Sequence, residues 1–278
     1  TLNGINPGQG YCIAMIMILL SVGILAFNQR MVGTRKNYTT VTGKSSNISL
    51  INLKKARNVI SVIAVVLILM VSILPLVSFA LESVILKPGD YSPSNFTLQF
   101  WIGSAEENSI ANNEAGLLLN PNLWKALWNS IKLSIVCALT AGTLGFLAGY
   151  GIVRGRGTKL AKIVDNLAFF PYLMPSMAFS VIYLSMFSTR RGPIPALYGS
   201  FFLLVLIGTV KYMPFASRSG INSMLQLSNQ IEEAGEIIGV SWPKRMARLV
   251  IPIQKSSFIS GYLLPFISCM RELSLFVL

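Results

Sequence analysis

The chain has 278 residues, 53% of them hydrophobic and only 12% charged, whereas soluble domains carry roughly 25% charged residues. The formal net charge is +13, but the basic residues gather beside apolar runs, the pattern of cytoplasmic loops rather than of a nucleic-acid surface. Composition therefore excludes an ordinary soluble domain and argues against nucleic acid as a partner.

Residues 1–10 are polar and uncharged, and Tyr11 to Phe27 is a first apolar run. A stretch rich in Lys and Arg with no acid follows at 29–57 and reads as a cytoplasmic linker. It contains Gly43-Lys44-Ser45, the tail of a phosphate-binding loop, but Tyr38 stands where that loop needs its first glycine, so no nucleotide site is expected. Val59 to Leu81 is a strong span with a kink expected at Pro75. Residues 82–124 are predominantly acidic and belong on the far side. Asn95-Phe96-Thr97 there matches a glycosylation acceptor, a pattern too short to carry weight.

Leu127 to Val153 returns inward, with Gly145 and Gly149 spaced for close helix packing. Arg154, Arg156, Lys159 and Lys162 mark a cytoplasmic turn. Asn166 to Phe187 goes out again, and Pro171 and Pro175 predict a bend or a broken start. Ala196 to Met213 comes back, with Lys211 and Arg218 marking the inner face, and Ser256 to Leu278 goes outward. By this alternation 17 of the 23 Lys and Arg lie on one side, as the positive-inside rule requires. An all-α polytopic membrane fold with about six spans is expected, since the alternation of a β-barrel is absent.

Histidine is absent, which removes the commonest metal ligand and general base. Cys12, Cys137 and Cys269 lie in or beside separate apolar runs and suggest neither a disulfide framework nor a metal site. No catalytic and no metal-binding residue is expected.

The longest amphipathic island of the second half is 231–253, IEEAGEIIGVSWPKRMARLVIPI. Ile231, Ala234 and Ile238 recur at the spacing of one helical face. Gly239 suits a helix stop, Ser241 a cap, and Pro243 the first turn of a second helix that Pro252 ends or kinks. On pattern alone this is a helix, a tight turn and a helix outside the hydrocarbon, either a connector between spans or a presented surface. A second island, Arg271-Glu272, stands inside an apolar run. Ionisable groups there face protein or water, so the pair is either a gate or pathway element or a structural ion pair with neighbouring helices or its own turn.

Glu233-Ala234-Gly235, three residues, Gly239, nine residues and Leu249-Val250-Ile251-Pro252 closely resemble the EAA loop of the permease subunits of binding-protein-dependent ABC importers. Gly235 stands for the second alanine, Leu249 for isoleucine and Ile251 for leucine, and the spacing is intact. The resemblance implies a type I importer transmembrane domain. It makes Glu232, Glu233, Ala234, Gly235, Gly239, Leu249, Ile251 and Pro252 the candidate ATPase-coupling residues. Two further stretches, 169–175 and 269–274, are similar to the ferric-iron-type subfamily, which neighbours the thiamine and polyamine permeases. The chain thus resembles the C-terminal part of a fused permease. Residues 1–30 would be the last helix of a preceding half, 31–57 a linker, and 58–278 a second half lacking its final helix.

The implied partners are a cytoplasmic ABC ATPase dimer, an extracytoplasmic solute-binding protein and membrane lipid, in a bacterial inner membrane. The chain itself would hold no cofactor and would not be an enzyme, with ATP bound by the partner ATPase. The implied function is ATP-driven solute import, ferric iron first, thiamine or a polyamine next. An ion-coupled secondary transporter is the rival of another class, and a scaffold without transport is a third.

Overall fold

The computed structural model describes residues 56–104, 115–193, 195–272 and 275–276, with isolated positions between 16 and 26. The expected span Tyr11 to Phe27 and nearly all of the basic linker lie outside the described residues. Among the described residues the fold is helical, with one isolated antiparallel bridge, Ile85 to Phe96. The chain divides into two compact units between Asn129 and Ser130.

The unit before that boundary is built on α1 (Arg57–Ile68) and α2 (Leu74–Glu82), joined by a π-helical turn, Leu69–Ile73. Within these 26 residues an 18-residue stretch has a mean hydropathy of 3.0 and no buried residue. A helix apolar on every side belongs in lipid rather than at a water-facing core surface. The expected kink at Pro75 takes the form of the π turn. Proline cannot donate to the carbonyl of Val71 and its ring crowds that turn, and a widened turn accommodates both faults. After α2, the buried Asn95 ties a loop together. Its amide donates to the carbonyls of Lys87 (3.0 Å) and Asp90 (2.6 Å), and its oxygen accepts from the Lys87 amide (3.2 Å). An amide so engaged is a structural tie, which accounts for Asn95 without glycosylation.

The second unit packs around two long helices, α3 (Pro121–Arg154) and α6 (Phe201–Gln226). The Gly145 and Gly149 pair does what its spacing implies. A Cβ on Gly149 would lie 2.8 Å from both the Ile221 nitrogen and the Ser217 oxygen, and one on Gly145 would lie 2.7 Å from the Ser217 nitrogen. The two backbones touch, and any side chain there would separate them. Between α3 and α6 in sequence come α4 (Lys159–Leu173) and α5 (Ser176–Phe187), bent by 106° at a break over Met174 and Pro175. The expected broken span is therefore present. Thr158 caps α4 by accepting from the Ala161 amide at 3.2 Å.

The span expected over Ala196 to Met213 is longer and differently placed. Helix α6 continues to Gln226, so Lys211 and Arg218 lie within it rather than at its end. Each charge has a local partner that lets the helix continue: backbone carbonyls for Lys211, and Asp165 at 3.1 Å with the Phe169 ring for Arg218. Three short segments follow, α7 (Asn229–Ile237), α8 (Trp242–Arg245) and α9 (Ile251–Ile253), with a π turn, Met246–Val250, ahead of Pro252. Helix α10 (Lys255–Arg271) closes the described chain apart from Glu272 and 275–276. Among the described residues three helices are long and apolar enough to cross a membrane, four if α4 and α5 form one broken span; α10, at 17 residues, stands just short of that length.

Candidate functional site

Two polar places stand out in the second unit. The first is the hairpin of α7 and α8. Ser228 caps α7, accepting from the Gln230 amide at 3.3 Å, and Gly239 stops it with φ +79°. The Gly239 amide donates to the Glu236 carbonyl (2.8 Å) and the Val240 amide to that of Gly235 (3.0 Å), closing the helix in the usual left-handed manner. Ser241 stands at the expected cap position before α8 but makes no side-chain cap bond.

The buried face of α7 is not the one its apolar spacing suggests. Glu232 and Gly235 point inward, with Ile231 half-buried, while Ala234 and Ile238 are exposed. The reason is polar rather than apolar. Glu232 accepts from Tyr150 Oη at 3.0 Å and from Arg154 Nη2 at 2.5 Å, and Arg154 also donates to Asn229. Arg154 and Glu232 side chains are 19% and 10% exposed, so this pair is a half-buried anchor holding α7 to the end of α3. Glu232 is thus occupied within the chain, whereas Glu233 is exposed.

Gly235 fits close against the second arm, where a Cβ would meet Arg245 Cδ at 3.1 Å and Leu249 Cδ1 at 3.3 Å. Arg245 bonds back to Glu236 at 3.0 Å. Val250 and Met246 are buried against Phe146, Met224 and Leu227. Leu249 and Ile251 are half-buried and Pro252 is exposed. The outward surface left over consists of Glu233, Ala234, Ile237 and Ile238, the two isoleucines being 86% and 79% exposed. A hairpin that shows water two isoleucines and the carboxylates of Glu233 and Glu236 is shaped for a protein partner.

The second place is a cavity of about 450 Å³ at the break between α4 and α5, lined among others by Tyr172, Ser176, Lys211, Tyr212, Arg271 and Glu272. Lys211, only 7% exposed, donates from Nζ to the carbonyls of Pro171 (3.1 Å) and Met174 (2.5 Å). Helical continuation would give the Pro171 carbonyl the amide of residue 175, but Pro175 has none. The Met174 amide reaches the Pro171 carbonyl instead, at 3.4 Å, and Lys211 adds a second donor at the negative end of α4. Glu272 acts electrostatically on both Lys211 and Tyr212. Arg271 and Glu272 therefore share one cavity wall with a lysine that the sequence reading placed at the inner surface. An ionisable residue inside an apolar run was the available signal, and it flags Lys211 as well as Arg271-Glu272. Nothing in the sequence pairs Arg154 with Glu232, 78 residues apart.

Among the described residues no cluster of three metal-ligating side chains occurs. Residues 141–277 match the family of binding-protein-dependent transport system inner membrane components. The chain is 24% identical over 262 residues to a probable ABC transporter permease protein of Sinorhizobium fredii, covering 91% of this chain and 43% of that protein. It is 22% identical over 265 residues to a ferric transport system permease protein of Actinobacillus pleuropneumoniae, covering 94% and 36%. It thus spans less than half the length of these curated relatives. A solved structure of the MetNI methionine ABC transporter in an inward-facing conformation superposes with a TM-score of 0.45 at 16% identity, over 54% of this chain and 72% of that one.

Proposed function

We propose that this chain, whose residues 141–277 match the binding-protein-dependent transport system inner membrane component family, is the membrane-spanning permease part of an ATP-driven solute importer. The single observation that carries this reading is the outward face of α7. Glu233, Ala234, Ile237 and Ile238 form an exposed, rigidly framed surface at the position of the EAA loop. A cytoplasmic ATPase dimer is the partner of that face. ATP binding and hydrolysis belong to the dimer, and an extracytoplasmic binding protein delivers the solute in a bacterial inner membrane. Movement of the ATPase pair shifts α7, and the Arg154–Glu232 anchor passes that shift to α3. The spans then alternate between inward-open and outward-open arrangements as a rigid-body switch. Arg271 and Glu272 stand on the pathway side.

Ferric iron is the solute to try first, supported by the name of the Actinobacillus relative; thiamine and a polyamine are the alternatives. The test is uptake of radiolabelled ferric iron, thiamine and spermidine into vesicles holding the full-length permease with its ATPase and binding protein. ATP-dependent uptake that disappears in Glu233→Arg, with the variant still in the membrane, is the expected result. Undiminished uptake by Glu233→Arg sinks the docking role. One observation favours a second reading: Lys211 and Glu272, charged and facing one cavity within the helical bundle, resemble the machinery of an ion-coupled carrier. Uptake that ignores ATP but follows an ion gradient would select it.

A further inference from the structure

The cavity at the helix break has a chemistry of its own. Its charged lining is two cations, Lys211 and Arg271, against one carboxylate, Glu272. Lys211 is held in place by two carbonyls and contributes a fixed positive field at one wall. Arg271, in the last turn of α10, is exposed to the cavity and presents a planar fork of donors. Pro175 and Ser176 bring the first turn of α5 to the lining, and no side chain caps that 12-residue helix. Its leading amides, short of helical acceptors, are donors of the kind that bind anions at helix N-termini.

An independent observation points the same way. Tyr212 is 2% exposed and lines the cavity, and its hydroxyl makes no hydrogen bond of ordinary geometry, with the Glu272 carboxylate as its acidic neighbour. A buried hydroxyl left so is costly unless something fills the space beside it. Ser176 and Ser268 add two more hydroxyls to the lining. A bare trivalent metal ion suits none of this, since hard cations take several anionic oxygens and the lining offers one carboxylate beside two positive charges.

We propose that this cavity is a subsite for an oxyanion group of the transported solute — a carboxylate, phosphate or phosphonate — gripped by Arg271, the Tyr212 hydroxyl and the amide end of α5, within the field of Lys211. The inference rests on reading the chain as an importer permease. It adds that any iron passing here does so inside an anionic complex, not as the naked ion. Glu272 opposes the anion and sets a release threshold, so that binding stays weak enough for passage.

The test uses the full permease and its ATPase in nanodiscs, with equilibrium dialysis of radiolabelled inorganic phosphate. Ferric citrate and spermidine serve as competitors. Saturable phosphate binding is expected, weakened at least tenfold by Arg271→Met, partly restored by Arg271→Lys, strengthened several-fold by Glu272→Gln, and untouched by spermidine. A variant with an unchanged unfolding midpoint and unchanged elution profile counts as folded; Tyr212→Phe, which removes one oxygen only, should weaken binding several-fold and guards against misfolding in the charge variants. Competition by ferric citrate with retention of its iron identifies a metal's anionic shell as the source of the oxyanion. Phosphate binding indifferent to ferric citrate identifies a metal-free solute, and both results support the subsite. Binding equal in wild type and Arg271→Met, displacement by spermidine, or no binding of either anion to a complex that still performs ATP-driven uptake overturns it and leaves the importer reading standing. Intact phosphate binding without ATP-driven uptake of any solute does the opposite.

Discussion

The α7–α8 hairpin and the α4–α5 break both place charge beside apolar helices, and they treat it oppositely. At the break, Lys211 is buried and its donors are spent on the Pro171 and Met174 carbonyls at the end of α4. At the hairpin, one carboxylate, Glu232, is spent internally on Arg154, and its neighbour Glu233 is left outside with Ile237 and Ile238. The contrast separates residues that build a site from residues that offer one. Adjacent glutamates in a single motif fall on different sides of that line because helical neighbours point about 100° apart.

The largest effect expected from breaking this contrast is at the anchor. Arg154→Met leaves Glu232 with its charge half-buried and only Tyr150 as donor, a loss of about 3 kcal/mol in folding stability. Denaturant unfolding of the purified permease reads it, and adding Glu232→Met should recover most of the loss. Second is Lys211→Met, which strips the donor from the Pro171 and Met174 carbonyls at a cost of about 2 kcal/mol. The same measurement should show it, with Lys211→Arg milder, and solute uptake should fall with it. Third, replacing Ile237 and Ile238 together by serine should leave stability within about 0.5 kcal/mol. The same change should lower ATPase affinity about tenfold, or about 1.4 kcal/mol, read by copurification and titration of the ATPase. A double variant that unfolds the permease instead would place these isoleucines in a core and erase the contrast. The smallest effect is at Glu236, whose side chain is 73% exposed in its bond to Arg245. Glu236→Gln should cost no more than about 0.5 kcal/mol, which thermal unfolding at low and high salt would bound.

Much of this architecture was legible in the residues. The spacing of Glu233, Gly235, Gly239 and Leu249 gave the hairpin, because a glycine-terminated helix and a proline-led successor leave few alternatives. Pro171 and Pro175 announced the broken helix, and Gly145 with Gly149 announced the seam against α6. The errors came where a charge or an apolar residue was read by its neighbours in sequence. Lys211 and Arg218 were taken as the end of a span, whereas α6 runs on to Gln226, and the face shared by Ile231, Ala234 and Ile238 turned out to expose its last two members.

The sequence by itself determined the membrane-spanning class, the helical elements and the places where proline and glycine interrupt them, since these follow from local backbone chemistry and hydropathy. Only the tertiary structure decided which charges are consumed and which are displayed. Glu232 turns inward because Arg154 and Tyr150 arrive from α3, and Lys211 is tolerated because the break brings two carbonyls to its ammonium. Such pairings depend on free energies of burial and hydrogen bonding between segments 37 to 82 residues apart, a distance over which sequence pattern carries no register.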